Sequence, residues 1–245
     1  MGRAAMQHVA INSGARTHPG RVRRLNEDAI VARDDLALWA VADGMGGETG
    51  GRWASATAVE ALVRAAEDAA DAGRRLDAGL EAGHAEIAAA AATLSVTMGS
   101  TVAALSFDGM SVTGRWVGDS RIYRWRDGRL HQISRDHSVV QDLVDRGAVA
   151  ADDADRHPMA HLLSRAVGMG MGAAPGRFAE AACPGDRFLL CSDGLSRVLP
   201  AALIEARLGT LAPEPAADAL LEDALAMGAP DNVSVVVVEV AATAH

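Results

Sequence analysis

The sequence contains no lysine, so each of its 23 fixed positive charges is an arginine. A guanidinium presents a planar fork of N–H donors that matches phosphate oxygens, so any phosphate contact by a permanently charged side chain must come from arginine. Acidic residues number 32, which gives a formal net charge of -9. This excess of negative charge argues against nucleic acid or an anionic membrane as the main partner.

Long apolar runs and cysteines are also scarce. No apolar run reaches the roughly 18 residues that a membrane span requires, and the N-terminus lacks the apolar centre of a signal peptide. We therefore expect a cytoplasmic protein without a membrane segment. The two cysteines, Cys183 and Cys191, flank a predicted hairpin turn at 184–186. In that turn Cys183 faces a residue near Asp186, so we expect two reduced, buried thiols rather than a disulfide.

The length of the chain limits the number of domains. A sequence of 245 residues with 49% hydrophobic residues can bury one substantial core or two small ones. No linker-like segment divides it. We predict a single domain over residues 1–245.

The stretch from Trp39 to Gly51 combines a predicted buried strand with a glycine-rich loop. The apolar run at 36–42 ends at Asp43, and five glycines lie within the next eight residues. The backbone can therefore approach a ligand closely, and a carbonyl such as that of Gly44 can face it. Carboxylate and carbonyl oxygens suit a hard divalent cation. At this point the alternative is a simple turn in which Asp43 caps a helix that starts near Gly51.

The remaining sequence alternates between helical and strand periodicity. Helices are predicted at 51–72, 74–93, 136–147, after Pro200 and at 213–227. Strands are predicted at 8–13, 29–32, 99–107, 110–119, 120–125, 129–133, 177–183, 186–191 and 230–240. Asp-Gly pairs at 108–109 and 127–128 favour one antiparallel meander over 99–133, and 177–191 reads as a second hairpin. Residues 148–176 show no regular pattern, and we expect them to be the most mobile part of the domain.

Four aspartates share a position at predicted strand ends: Asp43, Asp119, Asp193 and Asp231. Four carboxylates converging on one site would repel each other strongly unless cations neutralised them. Two divalent ions bridged by one shared aspartate could lower the pKa of a water held between them and could clamp phosphoryl oxygens. The pattern therefore predicts a metal-dependent hydrolytic site that requires no serine or cysteine nucleophile.

Six motifs together carry a family resemblance. They are Val-Arg-Arg-Leu-Asn-Glu-Asp at 22–28, Val-Ala-Asp-Gly-Met-Gly-Gly at 41–47, Gly-Ser-Thr at 99–101, Val-Gly-Asp-Ser-Arg at 117–121, Cys-Ser-Asp-Gly-Leu at 191–195 and Pro-Asp-Asn-Val-Ser at 230–234. In this order they resemble the metal-dependent protein phosphatases of type 2C in their compact bacterial form. The resemblance covers the whole chain. It implies an α+β fold, a four-layer α/β/β/α sandwich of two antiparallel sheets flanked by helices, with the metals in a cleft at one edge.

The resemblance also implies a ligand set for Mn²⁺ or Mg²⁺. Asp43 matches the carboxylate that bridges two ions, and the carbonyl of Gly44 matches a ligand of one of them. Asp193 and Asp231 resemble the remaining ligands of the other ion. Asp119, together with Asp193, matches the position that holds a third, looser ion in bacterial members.

Other roles follow from the same motifs. Glu27 and Asp28 resemble outer acids that orient metal-bound water. Arg23 matches the arginine that holds substrate phosphate, with the adjacent Arg24 as the alternative. Asn232 is expected to fix the loop around Asp231.

One position departs from the pattern of some family members. Where those members carry a histidine proposed as general acid, this chain has Met45, which cannot donate a proton. Either metal-bound water protonates the leaving group, or a histidine from elsewhere does so, with His157 and His161 as candidates. Residues 148–176 correspond to the variable flap beside the active site and are expected to influence substrate choice.

The resemblance implies hydrolysis of phosphoserine and phosphothreonine in proteins, with a bacterial Ser/Thr protein kinase and its targets as the partners. One alternative is a phosphatase dedicated to a single regulatory phosphoprotein, such as an anti-sigma antagonist. Another is a pseudophosphatase that binds phosphoproteins without turnover. The second predicts a missing metal aspartate, whereas all of the expected aspartates are present.

Overall fold

The computed structural model describes residues 10–68, 71–170 and 173–241. The described strands are β1 (Ile11–His18), β2 (Asp28–Arg33), β3 (Leu38–Met45), β4 (Gly99–Ser100), β5 (Val102–Asp108), β6 (Ser111–Val117), β7 (Arg121–Arg126), β8 (Arg129–Gln132), β9 (Gly176–Ala181), β10 (Arg187–Cys191) and β11 (Val233–Val240). The described α-helices are α1 (Gly47–Asp68), α2 (Ala72–Leu94), α3 (Val139–Asp145), α4 (Asp193–Ser196), α5 (Ala201–Thr210) and α6 (Pro213–Ala226). Short 3-10 helices occupy Asp34–Leu36 and Ala151–Arg156.

The strands form two antiparallel sheets. One sheet has the order β1-β11-β10-β7-β8, and the other has the order β2-β3-β5-β6-β9 with β4 paired to β3. Side chains that point to opposite faces of β3 enter different cores: Leu38 and Ala40 pack against α1 and α2, whereas Trp39 and Val41 face the other sheet. A third core lies between the first sheet and helices α5 and α6. The four layers are therefore helix, sheet, sheet and helix, as predicted.

Aromatic rings hold the two sheets together. Trp39 meets Phe107 edge to face at 5.6 Å between ring centroids, and Phe107 meets Phe188 at 5.9 Å. Phe188 belongs to the other sheet and is fully buried. The central core thus links β3 and β5 of one sheet to β10 of the other.

The predicted meander over 99–133 is wrong in its middle. Strand β5 pairs with β6 and β7 pairs with β8, but β6 and β7 belong to different sheets. The chain crosses between the sheets at Gly118, whose φ of +96° lies in the region that favours glycine. Asp119 follows directly, so this crossing brings Asp119 to the sheet edge.

The second predicted hairpin is also wrong. Strand β9 pairs with β6, whereas β10 pairs with β7 and β11 in the other sheet. The turn at 184–186 therefore connects the two sheets. Arg126 at the end of β7 holds the carboxylate of Asp186 in this turn at 2.5 Å. Cys191 is buried as expected, but Cys183 is exposed, and both are free thiols.

Several boundaries differ from those predicted. Strand β3 continues through Asp43 to Met45, and α1 begins at Gly47 instead of near Gly51. The opening strand lies at 11–18 rather than 8–13, and positions 8 and 9 of that prediction fall outside the described residues. The single-turn helix α4 was not predicted. Its first residue is Asp193, so this aspartate lies at the start of a helical turn just after a strand.

The irregular segment 148–176 packs against the site through isolated contacts. A one-residue bridge joins Val167 to Ser100, and another joins Leu163 to Ser138 at the start of α3. Positions 171 and 172 lie outside the described residues. Among the helices that the structure describes, none combines the length and the hydropathy needed to cross a membrane.

Candidate active site

A cavity of 980 Å³ lies where the ends of strands from both sheets meet. Its walls include the four predicted aspartates: Asp43 of β3, Asp119 of the sheet crossing, Asp193 of α4 and Asp231 of the loop before β11. Arg23, Glu27, Gly44 and Asn232 line the same cavity. Tertiary structure thus collects residues that are up to about two hundred positions apart in the sequence.

Asp43 lies at the centre of this acidic group. Its backbone N–H donates to the hydroxyl of Thr101 at 3.0 Å, and its carbonyl accepts from the Thr101 N–H at 2.8 Å. Burial raises the pKa of Asp43 well above its usual value, and repulsion from the other carboxylates, Asp28 first, raises it further. Asp43 is therefore costly to ionise unless positive charge is supplied nearby.

Asp28 faces Asp43 across the β2–β3 pair and does not itself line the cavity. One oxygen, Oδ2, accepts from the hydroxyls of Ser192 at 2.9 Å and Ser234 at 2.7 Å. The other oxygen, Oδ1, is buried without a hydrogen-bond partner. Burial raises the pKa of Asp28 to about 7, and the two serine donors oppose that rise. A buried carboxylate oxygen without a protein donor is suited to accept from a water or to face a cation.

Asp119 and Asp193 share one arginine. The guanidinium of Arg197 donates to Asp119 Oδ2 at 2.8 Å and lies 3.1 Å from Asp193 Oδ2. Burial raises the pKa of Asp119 to about 6, and Arg197 counteracts this rise. Burial also raises the pKa of Asp193, and Arg197 offsets part of that rise.

Asp231 pairs with the arginine expected to hold phosphate. The distance from Arg23 Nη2 to Asp231 Oδ2 is 2.8 Å, and the Arg23 side chain is 55% exposed. Arg24 is exposed and does not line the cavity. Of the two adjacent arginines, Arg23 is the one that faces the carboxylates.

A close backbone approach shapes the wall near Glu27. A Cβ added at Gly44 would lie 2.0 Å from the carbonyl oxygen of Gly51, so only glycine fits where β3 meets α1. The Gly44 N–H in turn donates to the carbonyl of Glu27 at 3.2 Å. The glycines of this stretch thus allow tight contact between three backbone segments. Close approach of this backbone to a ligand, which the sequence predicts, stays a prediction.

Asn232 contacts both Asp231 and a second loop, at 19–27. Its amide nitrogen donates to the carbonyls of Pro19 and Leu25, and its amide oxygen accepts from the N–H of Glu27 at 2.8 Å. These three bonds hold the 19–27 loop, which carries Arg23. The Asn232 side chain therefore positions the phosphate-facing segment, while its backbone N–H contacts Asp231 at 2.9 Å.

The donor set fits a divalent cation. Its side-chain donors are hard carboxylate oxygens, which calcium, magnesium and manganese prefer. Within the described residues, no three Asp, Glu, His or Cys side chains form a complete ligand set by themselves. Cations at this site would therefore also take carbonyl and water oxygens.

Sequence reasoning missed three groups of supporting residues. Thr101 orients Asp43, and its hydroxyl also bonds Ser120 at 2.6 Å. Ser192 and Ser234 hold Asp28. All of these lie inside the six motifs, so their position beside the acids was the available signal. Arg197 lies just outside the motifs, and its spacing of four residues from Asp193 was the only hint.

The two histidine candidates separate in space. His161 lines the cavity together with Met45, whereas His157 does not. The Nδ1 of His157 instead accepts from the N–H of Met159 at 3.2 Å. Of the two histidines, only His161 lies beside the acids.

Two antiparallel sheets packed face to face between helices, with aspartates gathered at one edge, define a class of α/β/β/α sandwiches with an acidic edge site. The sequence model of the family described as protein phosphatase 2C matches residues 20–236. The chain belongs to the protein phosphatase 2C family.

Individual relatives agree with this assignment. The serine/threonine protein phosphatase PstP of Mycobacterium tuberculosis is 39% identical over 236 residues, which cover 95% of this chain and 45% of the relative. The chain thus spans less than half the length of that relative. The serine/threonine phosphatase stp of Listeria monocytogenes is 32% identical over 238 residues, which cover 91% of this chain and 94% of the relative.

Solved structures confirm the sandwich fold. A crystal structure of the catalytic domain of PstP in complex with two manganese ions matches with a TM-score of 0.86 and 38% identity. The match covers 95% of this chain and 99% of the solved one. The family resemblance and the fold class inferred from the six motifs are both confirmed.

Proposed function

We propose that this protein is a metal-dependent protein phosphatase that hydrolyses phosphoserine and phosphothreonine. The observation that carries the proposal is the convergence of four aspartates and Arg23 in one cavity. The relatives PstP and stp, both named serine/threonine phosphatases, support it. Membership of the 2C family supports it as well.

We assign two Mn²⁺ or Mg²⁺ ions to the centre of the cavity. Asp43 and the Gly44 carbonyl would hold one ion, and Asp43, Asp193 and Asp231 would hold the other. Asp119 with Asp193 would hold a third. When bound, such ions would activate a water for attack and neutralise the phosphoryl oxygens. The two manganese ions in the PstP structure support the two-ion count.

The remaining residues have roles that follow from their contacts. Glu27 and Asp28 would orient water, and the unpartnered Oδ1 of Asp28 supports that role. Arg23 would bind the substrate phosphate. Arg23 pairs with Asp231, and at 55% exposure its side chain could turn toward an incoming anion once a cation neutralised that aspartate.

The proton for the leaving alkoxide has two possible sources in this chain. Met45 lines the cavity but cannot donate. Either water in the site donates, or His161 does, because His161 lines the cavity and His157 does not. A His161→Gln variant separates the two sources, since loss of a proton donor lowers kcat for alkyl phosphates more than for an aryl phosphate with a good leaving group.

The substrates that we propose are phosphorylated proteins, chiefly a Ser/Thr protein kinase and its targets. Residues 160–170 of the irregular segment form one wall of the cavity through Leu162, Ser164, Arg165 and Met169 among others. We expect this flap to influence which phosphoprotein enters. A single domain over 1–245 remains our proposal, with the family match covering 20–236.

The test is hydrolysis of a phosphothreonine peptide by the purified chain, with EDTA and then with added Mn²⁺ or Mg²⁺. We expect release of phosphate only with metal, and no inhibition by a thiol-blocking reagent, because neither cysteine lines the cavity. Asp193→Asn should abolish turnover with a retained fold, since it removes ligand charge and not core volume.

The matched control is Asp223→Asn, at an aspartate that pairs with Arg207 away from the cavity. It should retain turnover. Asp193→Asn with wild-type activity at saturating manganese would overturn the metal assignment. A folded protein that binds manganese and a phosphopeptide but releases no phosphate would support the phosphoprotein-binding alternative instead.

A further inference from the structure

Two aspartates of the acidic cavity, Asp119 and Asp193, are paired with an arginine that does not itself line the cavity. Arg197 follows the single turn of α4, and its backbone N–H donates to the Asp193 carbonyl at 2.9 Å. This places its guanidinium beside both Asp119 and Asp193, at 2.8 Å and 3.1 Å. The side chain is 21% exposed, so water screens the charge only partly.

The same guanidinium reaches the flap. Arg197 Nη2 donates to the carbonyl of Ala160 at 3.0 Å, and Nη1 contacts Nδ1 of His161. Ala160 is buried. Arg197 therefore joins two aspartates of the site to one segment of the flap.

We infer that Arg197 occupies the position of a third divalent cation and couples that position to the flap. This inference rests on the proposed function, because it takes Asp119 and Asp193 as the ligands of that cation. Arg197 contacts the Oδ2 oxygens of both carboxylates. A divalent cation that binds these same two oxygens cannot occupy this position together with the guanidinium. Binding of the cation must therefore displace Arg197 and break its bonds to Ala160 and His161.

Two consequences follow from the competition. The cation at Asp119 and Asp193 binds more weakly than the two central ions, because it must displace a guanidinium that contacts both of its carboxylates and is only 21% exposed. The other arginine in the acidic group, Arg23, pairs with Asp231 alone and is 55% exposed. Filling this position also frees the flap wall beside the substrate entrance. The flap thus has one state anchored by Arg197 and another state released by the cation.

The first measurement is manganese binding by isothermal titration calorimetry, with free Mn²⁺ counted by EPR. The variants are Arg197→Gln, which removes the charge, and Arg197→Lys, which keeps the charge without the fork that spans both aspartates. We expect wild type to bind two ions tightly and Arg197→Gln to bind the weak ion at least about fivefold more tightly. The affinity of Arg197→Lys for the weak ion should lie between those of wild type and Arg197→Gln.

Two arginines provide matched controls. Arg165 lines the acidic cavity and contacts His137 and the Ala174 carbonyl. Arg207 pairs with Asp223 outside the cavity. Arg165→Gln and Arg207→Gln should leave the affinity of the weak ion within about twofold of wild type. A tightening as large as that of Arg197→Gln in Arg165→Gln would show a general charge effect and overturn the specific competition.

The second measurement is hydrogen exchange of the full chain across 157–165. The amides of Ala160 and Leu162 donate within this segment, to His157 and Met159. In wild type, exchange there should rise when manganese reaches the concentration that fills the weak position. In Arg197→Gln, exchange should already be high and should not change further with manganese.

The outcomes separate this inference from the proposed function. Wild type that binds no manganese overturns both. Wild type that binds two ions and releases phosphate, with an unchanged weak-ion affinity in Arg197→Gln, overturns only the inference. Flap exchange that is insensitive to manganese in wild type overturns the coupling. Tighter weak-ion binding together with manganese-dependent flap exchange supports it.

Discussion

At the scale of single residues, the site is a group of acids held together against their own repulsion. Asp43 is half-buried opposite Asp28, and Asp119 and Asp193 share Arg197. Residues arranged for binding in this way weaken the folded state until their ligand arrives. Stability and metal binding should therefore move in opposite directions when one charge is removed.

The first prediction concerns Asp43→Asn. In EDTA this variant should unfold at a temperature at least about 2 °C above wild type, since about 1 kcal/mol of repulsion raises Tm by that amount in a chain of this size. Added Mn²⁺ should raise Tm of wild type but not of the variant. Differential scanning calorimetry measures both, and a manganese-stabilised Asp43→Asn would contradict the central role of Asp43.

The second prediction concerns His137, which supports the sheet crossing. Its ring stacks on Trp116, and its ring nitrogen Nδ1 accepts from the Gly118 N–H at 3.3 Å. Its backbone N–H donates to the Gly118 carbonyl at 2.9 Å. Burial and the nearby Arg165 together lower the pKa of His137 to about 4, against a smaller opposing effect of Asp142. His137 takes up a proton below about pH 6.5 in the unfolded chain, but only below about pH 4 in the folded chain.

His137 therefore costs stability as pH falls from about 6.5 to about 4. In His137→Gln the difference between the free energies of unfolding at pH 7 and pH 5 should be smaller than in wild type. Urea unfolding at the two pH values measures this difference. The cost of the lost ring stacking is the same at both pH values, so it cancels when the free energies of unfolding at pH 7 and pH 5 are subtracted. The control is His131→Gln, at an exposed position of β8, which should match wild type. An unchanged difference in His137→Gln would refute the linkage.

At the scale of elements, the site depends on how closely β3 and α1 approach. Glycine at 44 permits a backbone contact with Gly51 that leaves no room for a Cβ atom. The break between α1 and α2 is simpler, because Asp71 caps α2 by accepting from the Arg74 N–H at 2.9 Å. Local capping explains the helix boundary, whereas the Gly44 contact exists only in the folded chain.

The third prediction is that Gly44→Ala destabilises the fold by at least about 2 kcal/mol, because the new Cβ would overlap a backbone oxygen. It should also weaken manganese binding at the adjacent Asp43. The matched control is Gly109→Ala in the β5–β6 turn, where φ is +58° and no atom lies within 4 Å of the added Cβ. That change should cost about 1 kcal/mol from backbone strain alone and should leave manganese binding intact. Equal costs in both variants would contradict the steric explanation.

At the scale of the whole molecule, three cores hold four layers. The central core contains Trp39, Phe107 and Phe188 and joins the two sheets. None of these three lines the cavity. Global stability and the ligand geometry should therefore respond to different residues.

The fourth prediction is that Phe188→Ala lowers the free energy of unfolding by about 3 to 5 kcal/mol, because it leaves a cavity between the sheets. The milder Phe188→Leu should lower it by less and should keep the wild-type affinity for manganese. Phe178→Leu, at a partly buried ring on β9, is the control with a smaller cost. Phe188→Leu with a greatly weakened affinity for manganese at 25 °C, in a folded sample, would contradict this separation.

The sequence by itself determined the acids, the glycines and the family. Asp43 after an apolar run, glycine at 44 and the motif around Asp193 are local signals, because strand composition and turn chemistry depend on neighbouring residues. The same local rules predicted α2 within two residues at its start and one at its end. Six motifs in order then carried the family and, with it, the four layers.

Only the tertiary structure decided which strands pair and which residues share the site. Asp-Gly turns and alternation predict hairpins, but they cannot show that the chain crosses between sheets at Gly118 or at 184–186, because pairing depends on strands distant in sequence. The pairing of Arg197 with Asp119, 78 positions away, has the same origin. Charge partners across such separations are fixed by the packing of the two sheets, and no local pattern records them.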